Sequence, residues 1–245
     1  MPALKVLQAL CQTLEAIPST CSEKSVAEAK FTWWQAELKR MMRGEAGHPL
    51  TKAFMPVIHA LSIPESLFEN KLYGVWMDLQ YQGYETEADF AIYQRYVAGS
   101  MGALQAYLLG FNNPASLVWA EAVMQSLYRI EWLQNMGKQV REGRIYVPKT
   151  RLAAHGVSET ELLSLKTSPN FVALCTQIGE EACITLNTLL STLPPEDWAT
   201  FRPFRIQIAL SLALLKVLER YHFPVLSQKD TLTPLKRSWI TLKTF

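Results

Sequence analysis

The stretch Ser126-Leu-Tyr-Arg-Ile-Glu-Trp-Leu-Gln-Asn-Met-Gly-Lys-Gln-Val-Arg-Glu-Gly-Arg-Ile-Tyr-Val-Pro148 holds a contrast that decides how the whole chain is read. Its first half is helical in pattern, and Glu131, Asn135 and Gln139 recur at four-residue steps. A helix places such residues on one face. That face is polar but carries a single carboxylate. The second half, Gly143-Arg144-Ile145-Tyr146-Val147-Pro148, belongs to a loop from Arg141 to Pro148.

Working outward, helical periodicity dominates. Upstream, Asn112-Asn113-Pro114 breaks the pattern and opens the helix that runs to about Met136. Before it, Thr86 is placed to cap one long helix through about Gly110, with Phe90, Tyr93, Val97, Met101, Leu104 and Leu108 on its apolar side. Gly99 and Gly102 cost that helix about 1 kcal/mol each against alanine, which points to close helix packing or room for a ligand. Gly83 marks a turn, and Pro64 starts a helix toward Tyr81. His48-Pro49 opens another. Ser25-x-x-Glu28 has the pattern of a capping box for a helix stopped by Gly44. Leu7, Leu10, Cys11 and Leu14 form one face of the first helix, which Pro18 ends or kinks. Downstream, Ser158-x-x-Glu161 is a further capping box. Helices are expected from Pro169 to about Ser191, from Pro203 to about Tyr221, and after Pro234. No alternating strand pattern is present. The fold class is all-α. The absence of a low-complexity tract or long Gly/Ser linker favours a single domain.

Composition narrows the function. Hydrophobic residues make up 49% and charged residues 19%, as in a globular protein with a large apolar interior. A net charge of +2 gives no footprint for nucleic acid. The longest apolar run, Ile206 to Leu218, is interrupted by Gln207, Ser211 and Lys216, so no transmembrane helix is expected. No secretory signal is expected either, and the expected location is cytoplasmic, with peripheral contact at the inner face of a membrane open. Cys11, Cys21, Cys175 and Cys183 lack C-x-x-C spacing and read as small apolar residues of a reducing compartment. His48, His59, His155 and His222 form no zinc-ligand pair.

Four blocks resemble the squalene/phytoene synthase family, in the family's order. The first is Phe31-Thr-Trp-Trp-Gln-Ala-Glu-Leu38 with His48-Pro-Leu-Thr-Lys-Ala53. The second is Met77-Asp-Leu-Gln-Tyr-Gln-Gly-Tyr-Glu-Thr86, and the third is Tyr93-x-x-Tyr96-Val-Ala-Gly-Ser-Met-Gly102. The fourth is the loop from Arg141 to Pro148 with Lys149 and Gly156-Val157-Ser158 after it. The resemblance implies a helical bundle of the isoprenoid (terpenoid) synthase type around a central cavity. It would span residues 1–245, with 224–245 a C-terminal tail or last short helix.

In enzymes of that family, magnesium bridges a prenyl diphosphate to two acidic helix faces and acts as a Lewis acid. The first face reads Arg-x-x-Asp-Asp-x-x-Asp or close to it, and here those positions are Gln12, Glu15, Ala16 and Ser19. On the second face the usual Asn, Arg, Asp and Asp become Glu131, Gln134, Asn135 and Gln139, with Lys138 added. The chain has four aspartates, Asp78, Asp89, Asp197 and Asp230, and no two lie within a helical turn. The block Ser22-Glu23-Lys24-Ser25 with Lys30-Phe-Thr-Trp-Trp34 resembles a Ser-Glu…Arg-x-x-x-Trp pattern. That pattern marks family members lacking the aspartate motifs, including the mitochondrial complex I assembly-factor branch. Arg is usual there where Lys30 stands here.

These readings imply a catalytically degenerate member with no catalytic residue assigned and no metal site. It would bind a prenyl or other lipid, or serve a partner protein as an assembly factor or companion. The alternative is an active magnesium-dependent head-to-head transferase acting on farnesyl or geranylgeranyl diphosphate through Glu15 and Glu131. Ligand-binding candidates are Trp34, Asp78, Tyr84, Gly99, Gly102, Arg144 and Tyr146. Each has a structural alternative. One of Trp33 and Trp34 faces the core, and the other lies at the surface or an interface. Asp78 with Tyr84 holds a headgroup or ties a turn. Arg144 and Tyr146 contact phosphate or close the loop. Glu131, Asn135 and Gln139 form a polar network. Glu65/Glu69 and Glu180/Glu181 read as solvated surface.

Overall fold

The computed structural model describes residues 2–21, 23–111, 113–193, 197–228 and 231–244; Ser22, Asn112 and Asp230 of the sequence blocks above lie outside them. The described chain is built from helices: α1 (Pro2–Glu15), α2 (Ile17–Thr20), α3 (Lys24–Met42), α4 (Pro49–Leu61), α5 (Glu65–Gln80) and α6 (Glu87–Gln94). A π-helical segment, Arg95–Gly99, leads into α7 (Ser100–Leu108) and α8 (Pro114–Arg141). Then follow α9 (Lys149–Ala154), α10 (Glu159–Leu163), α11 (Pro169–Ser191), α12 (Arg202–Arg220) and α13 (Pro234–Lys243). Among the described residues the sole β-type pairing is an isolated bridge between Gly83 and Ile145. No helix among them is long and apolar enough to cross a membrane.

Two compact units emerge, one from residues 1–81 and 92–121, the other from 82–91 and 122–245. Two of the three boundaries fall inside helices, α6 and α8, where no linker composition could mark them. In the first unit Leu7, Leu10, Leu14, Trp34, Phe54 and Phe68 are all buried in one core. In the second, α11 packs on α12 and α12 on α13.

Local chemistry explains several helix ends. Gly44 ends α3 at φ +84°, a left-handed position that suits glycine. The His48 ring nitrogen accepts from Leu50 N at the start of α4, where Pro49 takes a first-turn position. Thr86 and Asp89 cap α6 reciprocally: Asp89 N donates to Thr86 Oγ1 at 3.2 Å and Thr86 N to Asp89 Oδ2 at 3.0 Å. Ser158 accepts from Glu161 N at 3.1 Å as its spacing implies.

Three expectations need correction. Ser25 does not cap α3: the helix starts at Lys24, with Glu23 extended before it, so Ser25 lies inside the first turn. The helix from Thr86 to Gly110 is not one regular element, because the π segment adds a residue to one turn and shifts the faces on either side. α8 continues past Met136 to Arg141, since Gly137 packs against backbone instead of ending it.

Candidate functional site

In the first unit, the polar face of α1 ends at Glu15. Pro18 sits in the first turn of α2, so positions 15 and 19 belong to different helices. Gln12 and Ser19 are exposed. The Glu15 carboxylate accepts from the Lys71 ammonium, which is 1% exposed on α5. Lys71 also donates to the Val97 carbonyl at 2.7 Å, in the π segment. Burial disfavours the Lys71 charge. The Glu15 carboxylate, with Asp78 adding to it, outweighs that penalty and raises the ammonium pKa above its ordinary value. Burial pushes the nearby Cys11 thiol up to about 12, so it is a neutral thiol rather than a nucleophile.

Two glycines mark close backbone approaches in this unit, one of them beside the cluster. A Cβ on Gly74 would sit 2.6 Å from Val97 Cγ2 and 3.1 Å from Val97 N, so α5 can approach the π segment only where it lacks a side chain. A Cβ on Gly102 would lie 2.4 Å from the Ala120 carbonyl oxygen. Gly99 is buried within the π segment. Asp78 Oδ2 accepts from the Tyr93 hydroxyl at 3.0 Å, so the tyrosine paired with it here belongs to α6.

Block one is organised by a residue the sequence reading passed over. The Glu37 carboxylate is fully buried. It accepts from Gly47 N and His48 N, both at 2.7 Å, from Thr51 Oγ1 and from Arg40. Burial raises its pKa, but these donors outweigh that and lower it to about 2. The His48 ring lies edge-on to Trp34, with centroids 4.8 Å apart. Trp34 is buried and Trp33 exposed, as adjacent helix positions require.

A half-open groove of about 360 Å³ runs between α3 and α5, with Phe31, Leu38, Phe68, Leu72, Tyr73 and Trp76 among its apolar walls. Glu65 and Glu69 are exposed and also line it, with Lys39. Its size falls within the range of small-molecule pockets.

In the second unit, blocks two and four are stitched together. Ile145 N donates to the Gln82 carbonyl at 2.9 Å, Lys149 N to Tyr84 O at 3.0 Å and Thr150 N to Glu85 O at 3.1 Å. A Cβ on Gly83 would come 2.5 Å from the Ile145 carbonyl oxygen. Tyr84 stacks on Tyr146, and Arg144 donates to the Tyr146 hydroxyl at 3.0 Å. Below them Arg151 bridges Glu87 and Glu181. Glu181 therefore belongs to a half-buried ion cluster and not to the solvated surface expected for it. On α8, Glu131 is exposed, and Asn135 bonds back to the Glu131 carbonyl at 2.9 Å. Lys138 pairs with Glu142 at 3.7 Å. The Gln139 Oε1 is buried with no hydrogen-bond partner among the described residues.

Magnesium takes six oxygen ligands, typically one or two carboxylates plus water and phosphate. Taken each by itself, neither face fits. Glu15 is already neutralised by Lys71, and Glu131 stands with amides. Among the described residues no group of three or more His, Cys, Asp or Glu is placed to hold a metal ion.

The family model "Squalene/phytoene synthase" matches residues 2–238 of this chain. Phytoene synthase 1, chloroplastic, of Arabidopsis thaliana is 22% identical over 173 residues, which are 68% of this chain and 41% of that protein. Phytoene synthase of Thermus thermophilus is 29% identical over 157 residues, 63% of this chain and 53% of that one. The chain thus spans about two fifths to one half of these relatives. Among solved structures, a dehydrosqualene synthase in complex with ligand superposes with a TM-score of 0.85 at 20% identity, covering 99% of this chain and 84% of that chain. The squalene synthase HpnC from Alicyclobacillus acidocaldarius gives 0.79 at 20% identity, with coverage of 91% and 84%. These two likenesses establish the all-α isoprenoid synthase fold.

Proposed function

Because the chain belongs to the squalene/phytoene synthase family, we propose that it is a catalytically degenerate member, which binds a prenyl or other lipid or serves a partner protein instead of ionising a prenyl diphosphate. The observation that carries this reading is the buried Lys71 ammonium on the Glu15 carboxylate. A fixed cation holds the one acid that α1 offers, in the place where a divalent metal would need several. Amides at Gln134, Asn135 and Gln139 supply no negative charge on α8. The apolar groove between α3 and α5 supports a binding role, since its floor suits a hydrocarbon chain and its rim is polar.

Titration calorimetry tests the reading. Magnesium together with a non-hydrolysable farnesyl diphosphate analogue gives no tight stoichiometric heat if it is right. Strong coupling between metal and analogue, each tightening the other, supports the active transferase instead.

A further inference from the structure

The C-terminal helix α13 shows an apolar stripe that its own unit leaves uncovered. Leu235 is 85% exposed, Trp239 57% and Leu242 67%. Their spacing of four and three residues puts all three on one helical face. No residue of α13 is buried. Lys236 and Lys243 border the stripe, and the Lys243 ammonium stands 4.1 Å from the centroid of the Trp239 ring. With Arg237, the helix carries three cations and no carboxylate.

A second feature lies beside it. Trp198 is 45% exposed, and the Arg205 guanidinium stacks over its ring at 3.8 Å. The same guanidinium donates to the Trp198 carbonyl at 3.0 Å and to the Thr244 carbonyl at 3.4 Å. Arg205 therefore fastens an exposed tryptophan to the C-terminal end of α13. Two tryptophans, each under a cation, thus accompany the leucine stripe.

From this arrangement we infer that α13 with Trp198 is a docking surface for an anionic lipid bilayer. Leu235, Trp239 and Leu242 would enter the boundary between headgroups and acyl chains, while Lys236 and Lys243 would meet lipid phosphates. Short amphipathic helices with leucine and tryptophan on one side and lysine or arginine beside them bind membranes in this way. Tryptophan favours that boundary because its ring is apolar and its N–H is polar. Lysines at the border extend their ammonium groups to the headgroups while their stems stay on apolar surface. The lysines also favour lipid over a protein partner, since protein interfaces are depleted in lysine. The helix is too short to span, so the contact is peripheral.

Flotation of the purified chain with vesicles tests the inference. The chain floats with mixed phosphatidylcholine–phosphatidylglycerol vesicles and not with phosphatidylcholine alone, and added salt weakens the binding. Lys236→Gln/Lys243→Gln lowers binding to the mixed vesicles about 25-fold, from about fivefold per basic residue. Leu235→Ser/Trp239→Ser/Leu242→Ser abolishes it. All five side chains are exposed, so both variants keep the thermal unfolding midpoint of the parent. Absence of flotation with either vesicle, or equal flotation of parent and variants, overturns the inference. So does a parent that floats with neither vesicle but self-associates through a contact that the triple variant removes.

Discussion

The Lys71 ammonium donates to the Glu15 carboxylate from a position 1% exposed, while Glu15 itself is 43% exposed. The pair is therefore asymmetric. Removing the acid strands a charge in the core, whereas removing the base leaves an acid that water can solvate. Glu15→Gln should cost about 3–5 kcal/mol in urea denaturation, and Lys71→Met about 1 kcal/mol. The reverse order would show that Lys71 is not the buried partner. Because the folded lysine pKa is raised, the lysine's contribution is complete below the ordinary lysine range and is lost as pH rises through the raised value.

Glu37 behaves oppositely with pH. Its pKa falls from 4.5 to about 2, so its contribution is complete above about 4.5 and disappears as pH falls toward 2. The contribution at neutral pH is roughly 3 kcal/mol. Guanidinium denaturation of Glu37→Gln should show that deficit at pH 7 and a shrinking gap below pH 4. A constant gap across that range would contradict the account.

Glycine substitutions should rank by what a methyl group meets. At Gly102 it meets the Ala120 carbonyl, which is rigid backbone. At Gly74 it meets the tip of Val97 and, less closely, its backbone nitrogen. At Gly44 it meets nothing, and only the positive φ penalises it. Expected losses on change to alanine are about 3, 2 and 1 kcal/mol in that order, read from thermal unfolding.

Much of the fold was legible because amphipathic periodicity and helix punctuation act locally. Pro169, Ser158, Gly44 and His48-Pro49 each specify a helix end through chemistry within four residues. The blocks around Gly83 and Gly143 were legible as units, but their mutual stitching was not, since Ile145 and Gln82 meet across more than sixty residues. Lys71 was missed because a lysine on a helix reads as solvated. Its signal was position: it falls on the stripe of Phe68, Leu72 and Val75, where the period calls for an apolar residue. Glu37 hid in the same way, three residues after Trp34 on the inward side of α3. The π segment leaves no local mark; its close neighbour Gly74 belongs to α5, which lies elsewhere in sequence. Glu181 read as surface until Arg151 and Arg129 folded over it.

The most direct measurement is turnover. Farnesyl or geranylgeranyl diphosphate, with magnesium and where needed a reductant, is incubated with the chain and extracted for squalene- or phytoene-like hydrocarbons. Ionisation needs about 8 kcal/mol or more of transition-state stabilisation, and on the proposed reading Gln12, Ala16, Ser19, Gln134, Asn135 and Gln139 supply none of the charge it requires. The account predicts no product from the chain, and none from Asn135→Asp/Gln139→Asp, since Gln12, Ala16, Ser19 and Gln134 remain and Lys71 still holds Glu15. Product formed by the unmodified chain at an ordinary enzymatic rate, and abolished by Glu131→Gln, would contradict it.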